Sequence, residues 1–252
     1  MERYVLSEVC KSFGEVEALS PCSLSINAGE RIALVGPSGS GKSTLLLLLS
    51  GILQPTAGTI EINGQFLHKI KPGKELSHLV GMVHQQLDLV PQLSAKHNVL
   101  AGRLGNWSFF RSCLSILIPQ ELETAKSALK LMGIESKINT RTSSLSGGEQ
   151  QRVAFARVFV QNPDVILADE PVSSLDPSRA QAIVELLCNT TNQYRKTLVA
   201  SLHSIDLAKK YFDRIIGLRL GKIMFDIPAS ELKDDTLQDL YELDEEINSL
   251  GS

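Results

Sequence analysis

Two rhythms of apolar and polar positions run along this chain. Residues 3–9 and 22–27 alternate loosely and read as strands, and 58–64 (GTIEING) reads as a third, with Gly58 and Gly64 as turns. Ile32-Ala33-Leu34-Val35 is an unbroken apolar run, as expected of a parallel strand covered on both faces. Leu45 to Leu49 followed by Ser50-Gly51 predicts a short buried helix with a glycine stop. Residues 78–84 form another strand candidate, ending at His84-Gln85. Between 94 and 134 helical spacing takes over, with Leu122, Ala125, Leu129 and Met132 on one face.

From Pro163 strands and helices alternate again. Val165-Ile166-Leu167-Ala168 and Thr197 to Leu202 read as strands, 178–193 and Ile205 to Tyr211 as helices, and 215–220 with 222–227 as a hairpin around Gly221. Leu237, Leu240, Leu243, Ile247 and Leu250 keep helical spacing through 231–250 among eight acidic side chains, the mark of an acidic amphipathic helix lying on a core. Repeated strand–helix units predict an α/β fold with a mostly parallel, doubly wound sheet. The short strands around 3–64 add a small antiparallel sheet. No internal repeat or low-complexity linker interrupts the pattern.

Composition narrows the picture. The 252 residues, 43% hydrophobic, suffice for a real core in one or two domains. A net charge of −3 disfavours a general grip on nucleic acid. Cys10, Cys22, Cys113 and Cys188 lie far apart without a CxxC pair, as reduced thiols of a cytosolic protein would. MERYVLSEVC lacks the apolar core of a signal peptide, and no apolar run approaches the ~20 residues of a membrane helix. The expectation is a soluble protein able to dock on a membrane partner.

The strongest chemical signal is the stretch Gly36, Pro37, Ser38, Gly39, Ser40, Gly41, Lys42, Ser43 and Thr44, which fits G-x-x-x-x-G-K-[ST] between a strand and a helix. Its glycines let backbone N–H groups converge on phosphate oxygens, and the helix start adds partial positive charge. Lys42 reaches the β- and γ-phosphates in this reading, and the Ser43 hydroxyl ligates Mg²⁺. Asp169-Glu170 follows the strand at 165–168, at the carboxyl end where ligands bind in such sheets. Asp169 is read as holding Mg²⁺ through its water shell and Glu170 as polarising the attacking water, in a reaction where the protein mainly positions groups. Leu145 to Gln151 offers two compatible readings. Ser146 and Glu149 form an S-x-x-E capping box, while Gly147 and Gly148 leave that helix start open to a phosphate. The glycine loop already takes the chain's own phosphates, so the second site invites a partner subunit.

With these motifs in order, the chain resembles the ATP-binding subunit of an ABC transporter over roughly residues 3–230. GPSGSGKST corresponds to its Walker A motif, VILADE at 165–170 to Walker B, and LSGGE to the family signature, with Glu149 where Gln is commoner. The resemblance implies a P-loop NTPase core with mostly parallel sheet, an antiparallel β subdomain and an α-helical signature subdomain at about 94–160, followed by an acidic tail at 231–252. It implies that Gln85 senses Mg²⁺ and the membrane partner. It places His203 at the γ-phosphate, Phe13 against the adenine, and Ser174-Leu175-Asp176 in the D-loop. On the residues alone, Phe13 can equally be a strand-edge core residue, His203 a structural histidine, and Asp176 the N-cap of a helix with Pro177 at its first position. Trp107, Phe109 and Phe110, near Arg103 and Arg111, read either as a loop on its own helices or as a partner contact.

Local stretches are similar to the ATP-binding subunit of phosphonate importers, among them HQQLDLVP at 84–91, NVLAGRLG at 98–105, SLHSIDLA at 201–208 and IGLR at 216–219. His84 and Ile227 depart from that pattern, where an aromatic and a glycine are usual. The implied assembly is two copies of this chain sandwiching two ATP molecules with Mg²⁺, on the cytoplasmic face of the inner membrane, bound to permease subunits and served by a periplasmic solute-binding protein. Uptake of phosphonate, phosphite or a related anion is the implied function. Another small-solute importer, or a non-transport ABC ATPase remodelling a membrane complex or acting on DNA or ribosomes, is the alternative. The latter usually carries a coiled-coil insert or two such domains, and neither occurs here.

Overall fold

The computed structural model describes residues 1–106, 121–173 and 175–249, with side chains described for all of these but 106 and 242–249. Trp107, Phe109, Phe110, Arg111, Cys113, Ser174, Leu243, Ile247 and Leu250, singled out above, lie outside the described residues or side chains.

Two sheets share the work. The first pairs β1 (Glu2–Phe13) with β2 (Val16–Asn27) and β4 (Ala57–Ile62), with β5 (Gln65–Phe66) at its edge, all antiparallel. The second has the order β10-β9-β3-β8-β7-β6, formed by β3 (Arg31–Val35), β6 (Val80–Val83), β7 (Val165–Ala168), β8 (Thr197–Ser201), β9 (Arg214–Arg219) and β10 (Lys222–Pro228). All its pairings are parallel except β10 on β9. Both the small antiparallel sheet and the mostly parallel one are as the pattern predicts.

The first two strands run well past the residues that alternate. β1 and β2 shift register between Leu6 and Val9 and again near Lys11. Glu8 takes a φ of 49° there, and Gly58 on β4 packs so closely that a methyl group would lie 2.3 Å from the Glu8 carbonyl oxygen. Each bulge resets the side-chain alternation, so the period-two signal stops while the pairing continues. The strand expected at 78–84 begins only at Val80, because Lys74–Leu79 form a short helix, α2, after α1 (Lys42–Leu49).

The parallel sheet divides the interior. Along β3, Ile32 and Leu34 face α1 and the antiparallel sheet, packing with Tyr4, Leu6, Leu45, Leu49 and Ile62. Ala33 and Val35 face the other way, among helices α3 (Ala95–Leu100), α4 (Leu122–Leu131), α5 (Gly147–Gln161) and α6 (Pro177–Gln193). The alternation of β7 and β8 follows the same rule, Leu167 and Val199 on one side and Ile166, Ala168 and Ala200 on the other. On α4 the expected face is partly right. Ala125, Leu129 and Met132 are buried, whereas Leu122 is exposed at the first turn.

The last helices are α7 (Ile205–Tyr211) and α8 (Asp234–Ser249). Leu240 of α8 is fully buried, Leu237 packs on the core, and the Arg219 guanidinium donates to the Asp239 carbonyl. Among the described residues no helix is long and apolar enough to cross a membrane.

One close approach in the parallel sheet is testable. Gly217 sits in β9 beneath the Phe225 ring of β10, and a methyl group there would meet ring carbons at 2.3 to 2.8 Å. Gly217→Ala should lower stability by about 1–3 kcal/mol through this overpacking, read as a fall in the thermal midpoint. Gly29→Ala, whose methyl would meet nothing within 4 Å but sits at a φ of 80°, isolates the backbone cost alone.

Candidate functional site

Five of the expected side chains converge because four parallel strands end together. The glycine loop follows β3, His84-Gln85 follows β6, Asp169-Glu170 follows β7, and His203 stands two residues beyond β8. The Ser43 hydroxyl, in the first turn of α1, donates to Asp169 Oδ1 at 3.0 Å. Glu170 is held at both oxygens: Gln85 Nε2 donates to Oε2 at 2.8 Å and His203 Nε2 lies 2.8 Å from Oε1. Its backbone takes a φ of 44°, a left-handed conformation that costs a non-glycine residue on the order of 1–3 kcal/mol and clusters at functional sites.

Ser201, a residue the sequence reading passed over, ties the two carboxylates together. This fully buried last residue of β8 donates to Asp169 Oδ1 at 2.7 Å and accepts the Glu170 N–H at 2.7 Å. Parallel pairing places Ser201 beside Leu34 of β3. Nothing in a serine at a strand end marks it in sequence, because its partners lie 31 and 32 positions away.

The glycine loop is shaped from outside as well as within. A methyl group at Gly36, whose φ is 144°, would lie 2.0 Å from the Leu218 carbonyl oxygen, and one at Gly41 would lie 2.8 Å from that of Ala18. Lys42 folds its ammonium back into the loop, donating to the carbonyls of Gly36 and Pro37 at 2.7 Å each and to Ser40 Oγ at 3.3 Å. Burial pulls its pKa down, and Glu170 and Asp169 oppose that shift. A buried ammonium with only neutral acceptors is poised for an anion. Ser43 and Asp169 offer the hard oxygen donors that Mg²⁺ takes. The residues therefore fit a phosphate with its divalent ion. Phe13, at the end of β1, is 51% exposed, so its ring is free of the core, with the Lys11 ammonium 5.1 Å from its centroid.

The second glycine pair lies elsewhere, at the start of α5. Both halves of the capping box form: Ser146 Oγ accepts the Glu149 N–H at 3.4 Å, and Glu149 Oε2 accepts the Ser146 N–H at 2.9 Å. That N–H, with Lys137 at 3.2 Å, holds the Glu149 carboxyl below its ordinary pKa. Methyl groups at Gly147 or Gly148 would meet only the Leu175 side chain, at 3.9 and 3.8 Å. This helix start is open. Asp176 caps α6, its Oδ1 accepting the Arg179 N–H at 3.1 Å and the Ser178 hydroxyl at 2.6 Å, which lowers its pKa. A cleft of about 390 Å³ opens between Gln85 to Pro91 and Thr142 to Gln150. Another of about 510 Å³ lies beside Glu170 and His203, lined by Leu175, Gln181 and Ser204.

A model described as ABC transporter matches residues 19–173. The chain belongs to the ABC transporter family. Among its relatives, the phosphonates import ATP-binding protein PhnC of Pseudomonas fluorescens is 42% identical over 90% of this chain and 86% of its own length. A protein of the same description from Nostoc is 45% identical over 94% and 91%. In the Anaeromyxobacter dehalogenans relative, at 46% identity, this chain spans 46% of the longer protein. The ATP-binding cassette MJ0796, solved as a dimer bound to ADP and Pi, superposes with a TM-score of 0.76 at 32% identity, covering 90% of this chain and 98% of that one. The cbiO1 protein of Clostridium perfringens gives 0.79 at 26% identity, with 96% of both chains covered. As an ATP-binding cassette of the ABC family, this chain is an ATPase, and membership implies dimerisation and a membrane permease partner.

Two outcomes follow from the geometry of this cassette. Ser201→Ala should strip the Glu170 N–H of its acceptor and cost about 1–3 kcal/mol, with ATP turnover falling alongside; unchanged stability and turnover would remove Ser201 from the site. The cap has a pH signature. The folded Glu149 pKa is depressed, so its contribution is present above the unfolded glutamate value of about 4.3 and is lost as pH falls through the folded value. The thermal midpoint gap between the native chain and Glu149→Gln should therefore narrow only at pH below about 4.3.

Proposed function

We propose that this chain is the ATP-hydrolysing subunit of an importer for phosphonate or a related phosphorus oxyanion. The observation that carries the hydrolytic part is the meeting of Ser43, Asp169, Glu170, Gln85 and His203 at the ends of four parallel strands. Lys42 exchanges its loop carbonyls for β- and γ-phosphate oxygens. Ser43, Asp169 and Gln85 would hold Mg²⁺, which would supply neutralising charge on the phosphates. Water attacks the γ-phosphorus in line, the bond to the ADP oxygen breaks, and Glu170 accepts the water's proton. His203 orients Glu170 and meets the γ-phosphate. Phe13 stacks on the adenine, worth about 1–3 kcal/mol.

The open helix start at Ser146, Gly147 and Gly148, with Glu149 capping it, supports a composite site. In this reading it binds the nucleotide of a second copy, and Asp176 lies at the same interface. The chain acts at the cytoplasmic face of the inner membrane, held there by permease subunits and reached only indirectly by a periplasmic binding protein. The permease contact falls beside Gln85. The cargo assignment is supported by the relatives described as phosphonate import proteins.

Glu170→Gln should keep ATP affinity and cut turnover by roughly 10²–10³. With ATP that variant should run as a dimer by light scattering, and Ser146→Arg should abolish the dimer without abolishing ATP binding. An undiminished hydrolysis rate in Glu170→Gln refutes the assignment of the base. For the cargo, reconstitution with the neighbouring permease should give ATPase activity that rises only with a binding protein loaded with phosphonate or phosphite. Stimulation by a sugar- or amino-acid-loaded protein instead would overturn the cargo and leave the ATPase standing.

A further inference from the structure

Outside the groups assigned above, a tightly held polar contact lies between helix α5 and the loop after β6. Arg157 of α5 donates through Nη1 to the Asp88 carbonyl at 2.6 Å and through Nη2 to the Leu87 carbonyl at 2.8 Å. Leu87 and Asp88 are consecutive non-glycine residues at φ of 50° and 46°. Leucine avoids the left-handed region, aspartate enters it more readily but as single residues, and two such residues in succession persist only where surroundings hold them. The planar guanidinium fork matches two adjacent carbonyls in a way a single ammonium cannot. One helical turn further on, Gln161 Nε2 donates to the carbonyls of Ser77 and Val80, both at 2.8 Å. Residues four apart share a helix face, so this face of α5 grips the chain on both sides of β6.

We propose that Arg157 is a positioning residue for hydrolysis: by bridging the Leu87 and Asp88 carbonyls it holds a strained turn that keeps Gln85 on Glu170, and it ties that contact to the helix opening at Ser146. The inference rests on the ATPase reading above. Its consequence is that α5 and the Gln85 loop move together. Gly81, in the strand that leads into the Gln85 loop, reinforces this, since a methyl group there would lie 2.8 Å from Val158. Contact of Gly147 and Gly148 with the nucleotide of a second copy thus reaches Glu170 of the chain that makes the contact. Burial lowers the Arg157 pKa, with Asp88 opposing, in keeping with a cation enclosed by carbonyls rather than placed on the surface.

The test measures kcat and KM for ATP separately, together with equilibrium ATP binding, in the full chain assembled with its permease. Arg157→Lys should lower kcat ten- to a hundredfold, the scale for a misplaced catalytic group, with KM and ATP affinity within about twofold of native. Adding Leu87→Gly and Asp88→Gly to Arg157→Lys should recover most of that loss, because glycine adopts the turn without a clamp. A residue serving only stability would lower the thermal midpoint without this rescue. Arg157→Gln is the second variant should the lysine form fold poorly, with the same split and rescue expected. A kcat within about twofold of native in both variants, or no recovery on adding the glycines, overturns the proposal. A native complex without Glu170-dependent hydrolysis overturns the ATPase reading and the role of Arg157 with it. Native hydrolysis that Arg157→Lys shares overturns the role of Arg157 alone.

Discussion

The register of the parallel strands is the constraint on which the site depends. Ala168 pairs with Ala200 and Leu34 with Ser201, so β3, β7 and β8 end at one level. Only then can one buried hydroxyl serve Asp169 and the Glu170 backbone together. A slip of one residue in such a sheet sends every side chain to the opposite face. Burial on both sides excludes that slip, since each face of β3, β7 and β8 is filled by its own cluster.

Two attachments built on that base act at different distances. Near the reacting groups, Ser201, Gln85 and His203 fix the Glu170 carboxylate and backbone in a conformation its own preference opposes. Further out, α5 reaches across β6 with Arg157 and Gln161 and binds main-chain carbonyls rather than side chains. Carbonyl acceptors are present whatever residue carries them, so the grip constrains the path of the loop and leaves its side chains free. Asn98 works likewise at the loop's far end, exchanging hydrogen bonds with both the N–H and the carbonyl of Val90 while Thr142 donates to that carbonyl.

What was legible in the sequence and what was not separate by distance along the chain. Ser43, Asp169 and the capping pair Ser146–Glu149 belong to contiguous motifs whose strand or helix setting is visible from their neighbours. The alternation that announced the antiparallel sheet also survived wherever pairing was regular, and unbroken apolar runs such as Ile32 to Val35 announced the parallel one. It failed at Glu8, where a bulge breaks the period, and at Lys74–Leu79, too short a helix to show one. Ser201 and Arg157 escaped notice because their roles arise from partners 31 and 69 positions away, brought near by the fold. The left-handed turn at Leu87 and Asp88 was equally hidden, for leucine gives no sign of a positive φ and a lone aspartate is too common to mark one.

The two sets of glycines carry different kinds of information. Gly36 and Gly41 are demanded by neighbouring backbone at Leu218 and Ala18, so folding alone would retain them. Gly147 and Gly148 press on nothing but the edge of Leu175. A duplicated copy of this chain freed from catalysis would keep the first pair and let the second drift. In a degenerate paralogue, then, an intact glycine loop testifies only to an intact sheet, and the glycines that open α5 are the ones whose loss records that the chain no longer meets a nucleotide held by another.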